Sequence, residues 1–283
     1  MSWGAGSYAP QEPADQLRIG HRAEIVRQVE DARRRSRLRF RGTFLLTWLV
    51  LIGALVVAIG STGRVHIDFV SEWAPFILGG VPVTIFVSVM SILFATVFAL
   101  VGALGRLSRI APVYAAASLY VSLVRGTPLI VQIIFWYGAL PQFGVVLPPL
   151  VAGIFALSFN YGAYMTEIFR AGIQAIPRGQ LEAASALGMT DGVTMRRIVL
   201  PQAIRIVIPA IGNEFIAMIK DSALVSYVTI QETFWRASTT GSRSFRMFET
   251  LLIAALIYWA LTIVFSLVQE RLEKRMAESE VRL

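Results

Sequence analysis

Residues 73–105 read WAPFILGGVPVTIFVSVMSILFATVFALVGALG, and no charged side chain interrupts them. A second charge-free run covers residues 126–166. A helix needs roughly 20 mostly apolar residues to cross about 30 Å of hydrocarbon. Both runs exceed that length, and a soluble core of this size would not leave such stretches uninterrupted. The rest of the chain agrees: 55% of its 283 residues are hydrophobic, 16% are charged, and the mean hydropathy is +0.63. Ordinary soluble domains carry about 25% charged residues. The chain therefore reads as all-α, a polytopic membrane helical bundle.

Six spans are expected, at about 43–60, 76–104, 113–140 and 151–168, a fifth broken by Pro201 and Pro209 and ending near 219, and a last at 251–268. The third is interrupted by Arg125-Gly-Thr-Pro128. The net charge is +8, and the arginines cluster beside apolar runs. That pattern is the positive-inside signature rather than a nucleic-acid footprint, so no nucleic-acid partner is expected. Both termini then fall in the cytoplasm. The segment 220–249 fits the rule less well, since it would lie outside yet holds Lys220, Arg236, Arg243 and Arg246.

Residues 1–42 read as a cytoplasmic basic tail, with Arg33, Arg34, Arg35, Arg37, Arg39 and Arg41 just ahead of the first span. The tail is too long and polar for a cleavable signal, and its basic cluster suits contact with membrane lipid headgroups. Residues 43–75 form a span and an outside segment carrying Arg64, His66, Asp68 and Glu72. The core is expected at 76–270 and a cytoplasmic C-terminal tail at 271–283. Cysteine is absent and the only histidines are His21 and His66, so no metal site is expected. The patterns G-x-x-x-x-G-K-[ST], H-E-x-x-H and G-x-S-x-G do not occur. The chain has no P-loop with which to bind ATP, and it is not expected to be an enzyme.

The most informative stretch lies between the fourth and fifth spans: Glu182-Ala183-Ala184, three residues, Gly188, nine residues, then Ile198-Val199-Leu200-Pro201. Leu181, Ala184, Ala186 and Leu187 place apolar side chains at helical spacing before Gly188. Glycine accepts the left-handed backbone that ends a helix. Thr190 is placed to cap a second helix, with Asp191 in its first turn. Two short helices meeting at a bend are the expected product, and small Ala183 and Ala184 allow close helix approach.

The pattern resembles the EAA loop of ABC importer permeases (E-A-A, x3, G, x9, I-x-L-P) at every fixed position. Further stretches are similar to the polar amino acid branch, the permeases for histidine, glutamine, glutamate, arginine, cystine and opines. They are Arg125-Gly-Thr-Pro-Leu-Ile-Val-Gln132, Tyr164-Met-Thr-Glu-Ile-Phe-Arg-Ala-Gly172, Ile176-Pro-Arg-Gly-Gln180, Asn213-Glu-Phe215 and Lys220-Asp-Ser222. The resemblance runs from about residue 80 to 271. The first span lies outside the family's five-helix core, and Lys220-Asp-Ser-Ala-Leu224 departs from the more usual Lys-Asp-Thr-Ser-Leu. The resemblance implies a coupling loop near 176–200, with Glu182, Ala183, Ala184, Gly188, Thr190, Asp191, Arg196, Arg197 and Pro201 meeting a separate ATPase subunit. That subunit would bind ATP and Mg. It also implies a second permease, identical or paralogous, and an extracytoplasmic substrate-binding protein that delivers a polar amino acid.

Charge inside a bilayer is costly, about 2.5 to 3.5 kcal/mol at its centre by insertion scales, and marks a partner or a watery lining. Arg125 and Thr127 flank a helix break that either lines the pathway or fixes the fold. Asn213, Glu214, Lys220 and Asp221 are candidates for an amino-acid-accepting cavity, although Lys220 and Asp221 can instead neutralise each other. Glu167 and Arg170 are expected to pair with neighbouring cytoplasmic charges. Phe135, Trp136 and Tyr137 read as an interfacial aromatic belt. Two other classes remain: a gradient-driven transporter or channel, disfavoured by the absence of an internal repeat, and a regulatory subunit that only docks an ATPase.

Overall fold

In the computed structural model of the protein, the backbone is described for residues 12–63 and 65–278, and side chains for 33–63 and 65–276. Residues 1–11 of the basic tail, Arg64 of the expected outside segment and residues 279–283 lie outside the described residues. Residues up to 65 form one compact unit and those from 66 another. Among the described residues there is no strand.

The first unit is one helix, α1, Glu12–Gly60, which runs through the basic tail and the first expected span without a break. The second unit begins with α2 (Ile67–Leu78), which ends at Gly79 and Gly80, and continues as α3 (Val81–Leu107). Helix α3 alone has 27 residues, about 40 Å at 1.5 Å per residue, enough to cross the hydrocarbon. The amphipathic α2 instead packs beside α10 (Thr233–Ser244) and α11 (Met247–Glu278), where Ile77, Ala237, Ile253, Ala254 and Ile257 form a small core. Its entry is held by His66, whose Nδ1 lies 3.1 Å from the Glu249 carboxylate.

The centre of the second unit is the pair α3 and α6 (Pro149–Gln174). Small residues are buried along both helices, Ser88, Ser91, Ala95, Ala99 and Gly102 on α3 and Ala152, Ala156, Gly162, Ala163 and Thr166 on α6, and Gly102 packs directly against Thr166. Small side chains let helix backbones approach closely where lipid supplies no hydrophobic drive. A Cβ added at Gly162 would stand 2.5 Å from Phe98 Cβ and 2.7 Å from Tyr120 Oη. Gly162→Val is therefore expected to destabilise this pair by about 1–3 kcal/mol, the usual cost of overpacking. A thermal unfolding curve of the purified protein in detergent checks this; an unchanged midpoint would contradict the packing argument.

Among the described residues, four segments suit a membrane span by length and composition: Arg33–Gly60, Ile67–Leu107, Asp191–Val228 and Met247–Met276. A fifth is the bent pair α4 (Ala111–Arg125) and α5 (Leu129–Ile134, continued by short turns to Phe143), whose halves meet at 105°. Helix α6 fills the place of the fourth expected span. It has 26 residues and the length to cross, but carries Ser158, Asn160 and Tyr161 in its middle, all buried by neighbouring helices. A helix jacketed by protein does not need a fully apolar surface.

The fifth span is not broken, contrary to expectation. A single turn, α8 (Asp191–Thr194), passes through a π-turn at Met195–Val199 into α9 (Leu200–Asp221). The wide turn sits just ahead of Pro201, where a regular turn would press the proline ring against the preceding carbonyls. Pro209 stays inside α9, and its carbonyl accepts a hydrogen bond from Gln269 Nε2 of α11 at 2.8 Å. The aromatic expectation also changes: Trp136 turns inward, with its ring 4.7 Å from Phe155 and 5.6 Å from Phe159.

Candidate functional site: a helical loop and a polar cavity

The loop after α6 is built as its sequence dictates. Helix α7 (Arg178–Ala186) follows Pro177 and ends in a Schellman arrangement. The Met189 amide donates to Ala184 O and the Gly188 amide to Ser185 O, each at 3.0 Å. Gly188 has φ +72, and a Cβ placed on it would meet nothing within 4 Å. Backbone conformation, not space, therefore requires glycine here. Asp191 opens α8 as expected. Thr190 occupies the N-cap position, but its side chain makes no capping bond. The turn is closed by its backbone carbonyl, which accepts from the Thr194 amide at 2.9 Å. The segment is exposed, so water serves the remaining amides.

Ala184 is the buried residue of α7, while Glu182, Ala183, Asp191, Arg196, Arg197 and Pro201 are exposed. Two residues to which the sequence pattern assigns no role close the loop: Gln202 Nε2 donates to Gln180 Oε1 at 2.7 Å and to Ile198 O at 2.9 Å, tying α9 back to α7. Between the charged residues stand Leu187, 81% exposed, with Leu181, Val193 and Met195. Apolar side chains therefore stand exposed on a turn rimmed by charge.

The second feature is a cavity of about 410 Å³ where the kink between α4 and α5 faces α6 and α9. Its lining includes Arg125, Thr127, Asn160, Tyr161, Tyr164, Glu214 and Asp221. Glu214 and Asp221 are seven residues apart on α9, two helical turns, and so share one face. Asn213 and Lys220 carry the same spacing on the adjacent face; both are exposed and do not line the cavity. No ion pair joins Lys220 to Asp221 among the described residues. Asp221 instead accepts from Tyr161 Oη at 2.8 Å. The Arg125 guanidinium lies 5.0 Å from the centre of the Tyr164 ring.

The kink itself is stable because its freed carbonyls find partners. Gln132 Nε2 reaches Val124 O at 2.8 Å and Thr127 O at 3.2 Å, and Asn160 donates to Gln132 Oε1 at 3.3 Å. Irregular backbone at membrane depth is tolerated where protein satisfies it or where it lines a cavity, and this one does both. The sequence alone does not single out Asn160, Tyr161 and Tyr164; their signal is a cluster of hydrogen-bonding side chains in the middle of an uncharged run.

Elsewhere, Glu167 pairs with Arg170 at 2.7 Å and with Arg106 at 3.2 Å, linking the C-terminal ends of α6 and α3. An unforeseen group is Glu232, fully buried at the N-cap of α10. It accepts from the amides of Phe234 (2.9 Å) and Trp235 (2.6 Å), from Thr84 of α3 and from the Tyr258 hydroxyl of α11. Glu232→Ala strands all of these donors, and each unsatisfied buried group costs about 1–3 kcal/mol. We expect loss of at least about 3 kcal/mol of stability, read as a large fall in unfolding temperature. Wild-type stability in that variant would mean that α10 is held by other contacts.

Comparison with known proteins agrees with this anatomy. Residues 91–278 match the family described as binding-protein-dependent transport system inner membrane component. The L-cystine transport system permease protein TcyB of Bacillus subtilis is 41% identical over 207 residues, which span 73% of this chain and 88% of that protein. The arginine transport system permease protein ArtQ of the same organism is 37% identical over 207 residues, spanning 73% and 94%. A crystal structure of an amino acid ABC transporter with histidines superposes with a TM-score of 0.71 at 39% identity, covering 75% of this chain and 99% of that one. The chain belongs to the binding-protein-dependent transport system inner membrane component family, the ABC permeases whose loop pattern it carries from Glu182 to Pro201.

Proposed function

We propose that this chain is the membrane-spanning permease subunit of an importer that moves a polar amino acid across the bacterial cytoplasmic membrane by ATP-driven alternating access. Two ATPase subunits, which bind ATP and Mg, dock on the loops around Glu182–Arg197. A second permease, identical or paralogous, completes the pathway. An extracytoplasmic binding protein delivers the substrate, and both termini of this chain face the cytoplasm. The observation that carries the reading is the pairing of an exposed, apolar-tipped coupling loop with a charged cavity beside a broken helix.

The cavity chemistry suits an amino acid. The Arg125 guanidinium matches a carboxylate, and Glu214 with Asp221 matches an ammonium group. Tyr161 orients Asp221, and Tyr164 holds Arg125 by its ring face. ATP binding favours one arrangement of the subunits and the delivered substrate the other, so each shifts the equilibrium by its differential affinity. The relatives' own substrates, cystine and arginine by name, support the amino acid class. The test is ATPase activity of the chain reconstituted with its ATPase and binding protein against a panel of amino acids. Stimulation by a polar amino acid, dependent on the binding protein, is expected. Failure of any ATPase subunit to associate would overturn the proposal.

A further inference from the structure

Helix α1 precedes the residues that match the family, and about a quarter of this chain has no counterpart in the solved amino acid transporter. Its role must come from its own chemistry. No acidic residue occurs between Asp31 and Asp68, while six arginines stand at 33, 34, 35, 37, 39 and 41. The helix is unbroken here, so their positions on its surface are fixed. Arg33, Arg37 and Arg41 recur every fourth residue on one face, with Arg34 beside them. Together with Leu38 these four line a groove of about 490 Å³. Among the described residues none of the six arginines forms an ion pair.

The same helix sets the depth of this groove. Residues 42–60 are uncharged and cover about 28 Å at 1.5 Å per residue, close to the hydrocarbon thickness. Arg41 then stands at the edge of the hydrocarbon, and Arg33 about 12 Å further along the axis. That interval contains the headgroup layer, where lipid phosphates lie. A guanidinium binds phosphate through two parallel hydrogen bonds, which a hydrated point charge does not.

We propose that the Arg33, Arg34, Arg37 and Arg41 face of α1 binds the phosphates of anionic phospholipids at the membrane surface where the helix enters the bilayer. The added helix is thereby anchored by lipid. A nucleic acid would meet the same charge, but the apolar run holds these arginines against the headgroups rather than in open solvent. The inference rests on α1 entering the membrane and needs neither the amino acid substrate nor the ATPase.

The test uses the full-length protein in nanodiscs of phosphatidylcholine mixed with phosphatidylglycerol or cardiolipin, with retained lipid counted by native mass spectrometry. Wild type is expected to retain anionic lipid at least about fivefold above its share of the mixture, the factor that a single arginine contributes at a charged surface. R33Q/R34Q/R37Q/R41Q should fall to the bulk ratio, and R33K/R34K/R37K/R41K, which keeps the charge but not the paired hydrogen bonds, should keep only part of the enrichment. Inorganic phosphate at millimolar levels should not displace the lipid; displacement would assign a free-anion site instead. Retention equal in wild type and the four-glutamine variant overturns the proposal, as does competition by a single-stranded oligonucleotide at equal charge. Because removing arginines can invert a helix, an N-terminal tag reports orientation by protease access. If the four-glutamine variant inverts, R33Q/R34Q and R37Q/R41Q are compared separately, and unchanged retention in both overturns the proposal equally.

Discussion

Neutralising both carboxylates on the cavity face of α9, Glu214→Gln together with Asp221→Asn, is expected to lower uptake at limiting substrate by about a hundredfold or more. A hydrogen bond to a charged group contributes about 1.5–3 kcal/mol, and two lost together correspond to that range. The substitutions preserve size, so the helix and its packing should survive. Asp221→Asn alone also alters the acceptor of Tyr161, whose hydroxyl bonds Asp221 Oδ2 at 2.8 Å. The control is the neighbouring face: Asn213→Ala and Lys220→Gln have the same spacing on the same helix but do not line the cavity. Those variants should transport within about twofold of wild type, since exposed sites outside special features rarely matter by more than about 0.5 kcal/mol. Equal losses on both faces would show that α9 as a whole, rather than the cavity, is sensitive. Basal ATPase activity of the assembled complex should be unchanged, because none of these residues touches the loop at 176–200.

The sequence was most legible where local chemistry decides the outcome. Gly188 demanded a left-handed turn and has one, and the break at Gly126-Thr127-Pro128 became a 105° bend. It was less legible where a neighbouring helix decides. Pro209 looked like a break, yet α9 runs through it, and Gln269 of α11, sixty residues away, packs its amide on the Pro209 carbonyl. Asn213 and Glu214 were indistinguishable as a pair of polar residues. Adding the i, i+7 relation of Glu214 to Asp221 would have put these two on one face, but only the kink of α4 and Tyr161 identify which face is lined. Glu232 was invisible for the same reason: its four donors come from α3, α10 and α11, and no local pattern announces that a carboxylate without a cation is buried among them.

Gly188→Val is expected to abolish coupling while leaving the protein inserted and folded. At φ +72 an L-residue carries a penalty of about 1–2 kcal/mol, and a β-branched side chain is a genuine outlier there. The open space around Gly188 means that no clash spreads into the membrane core. The strain is relieved by unwinding the turn, and that separates α7 from α8 and undoes the Met189 to Ala184 and Gly188 to Ser185 bonds. The exposed Leu187 and the arginines at 196 and 197 then lose their fixed relation, so an ATPase subunit meets a loop without a shape. Uptake should fall by tenfold or more, with substrate-stimulated ATPase activity reduced in step and expression unchanged. The discriminating variant is Gly188→Asn, because asparagine visits the left-handed region readily. It should retain most of the transport if conformation is the requirement. Should the asparagine variant fail as completely as valine, the surface at residue 188 must be read as a contact in its own right, and the turn geometry is not what the coupling needs.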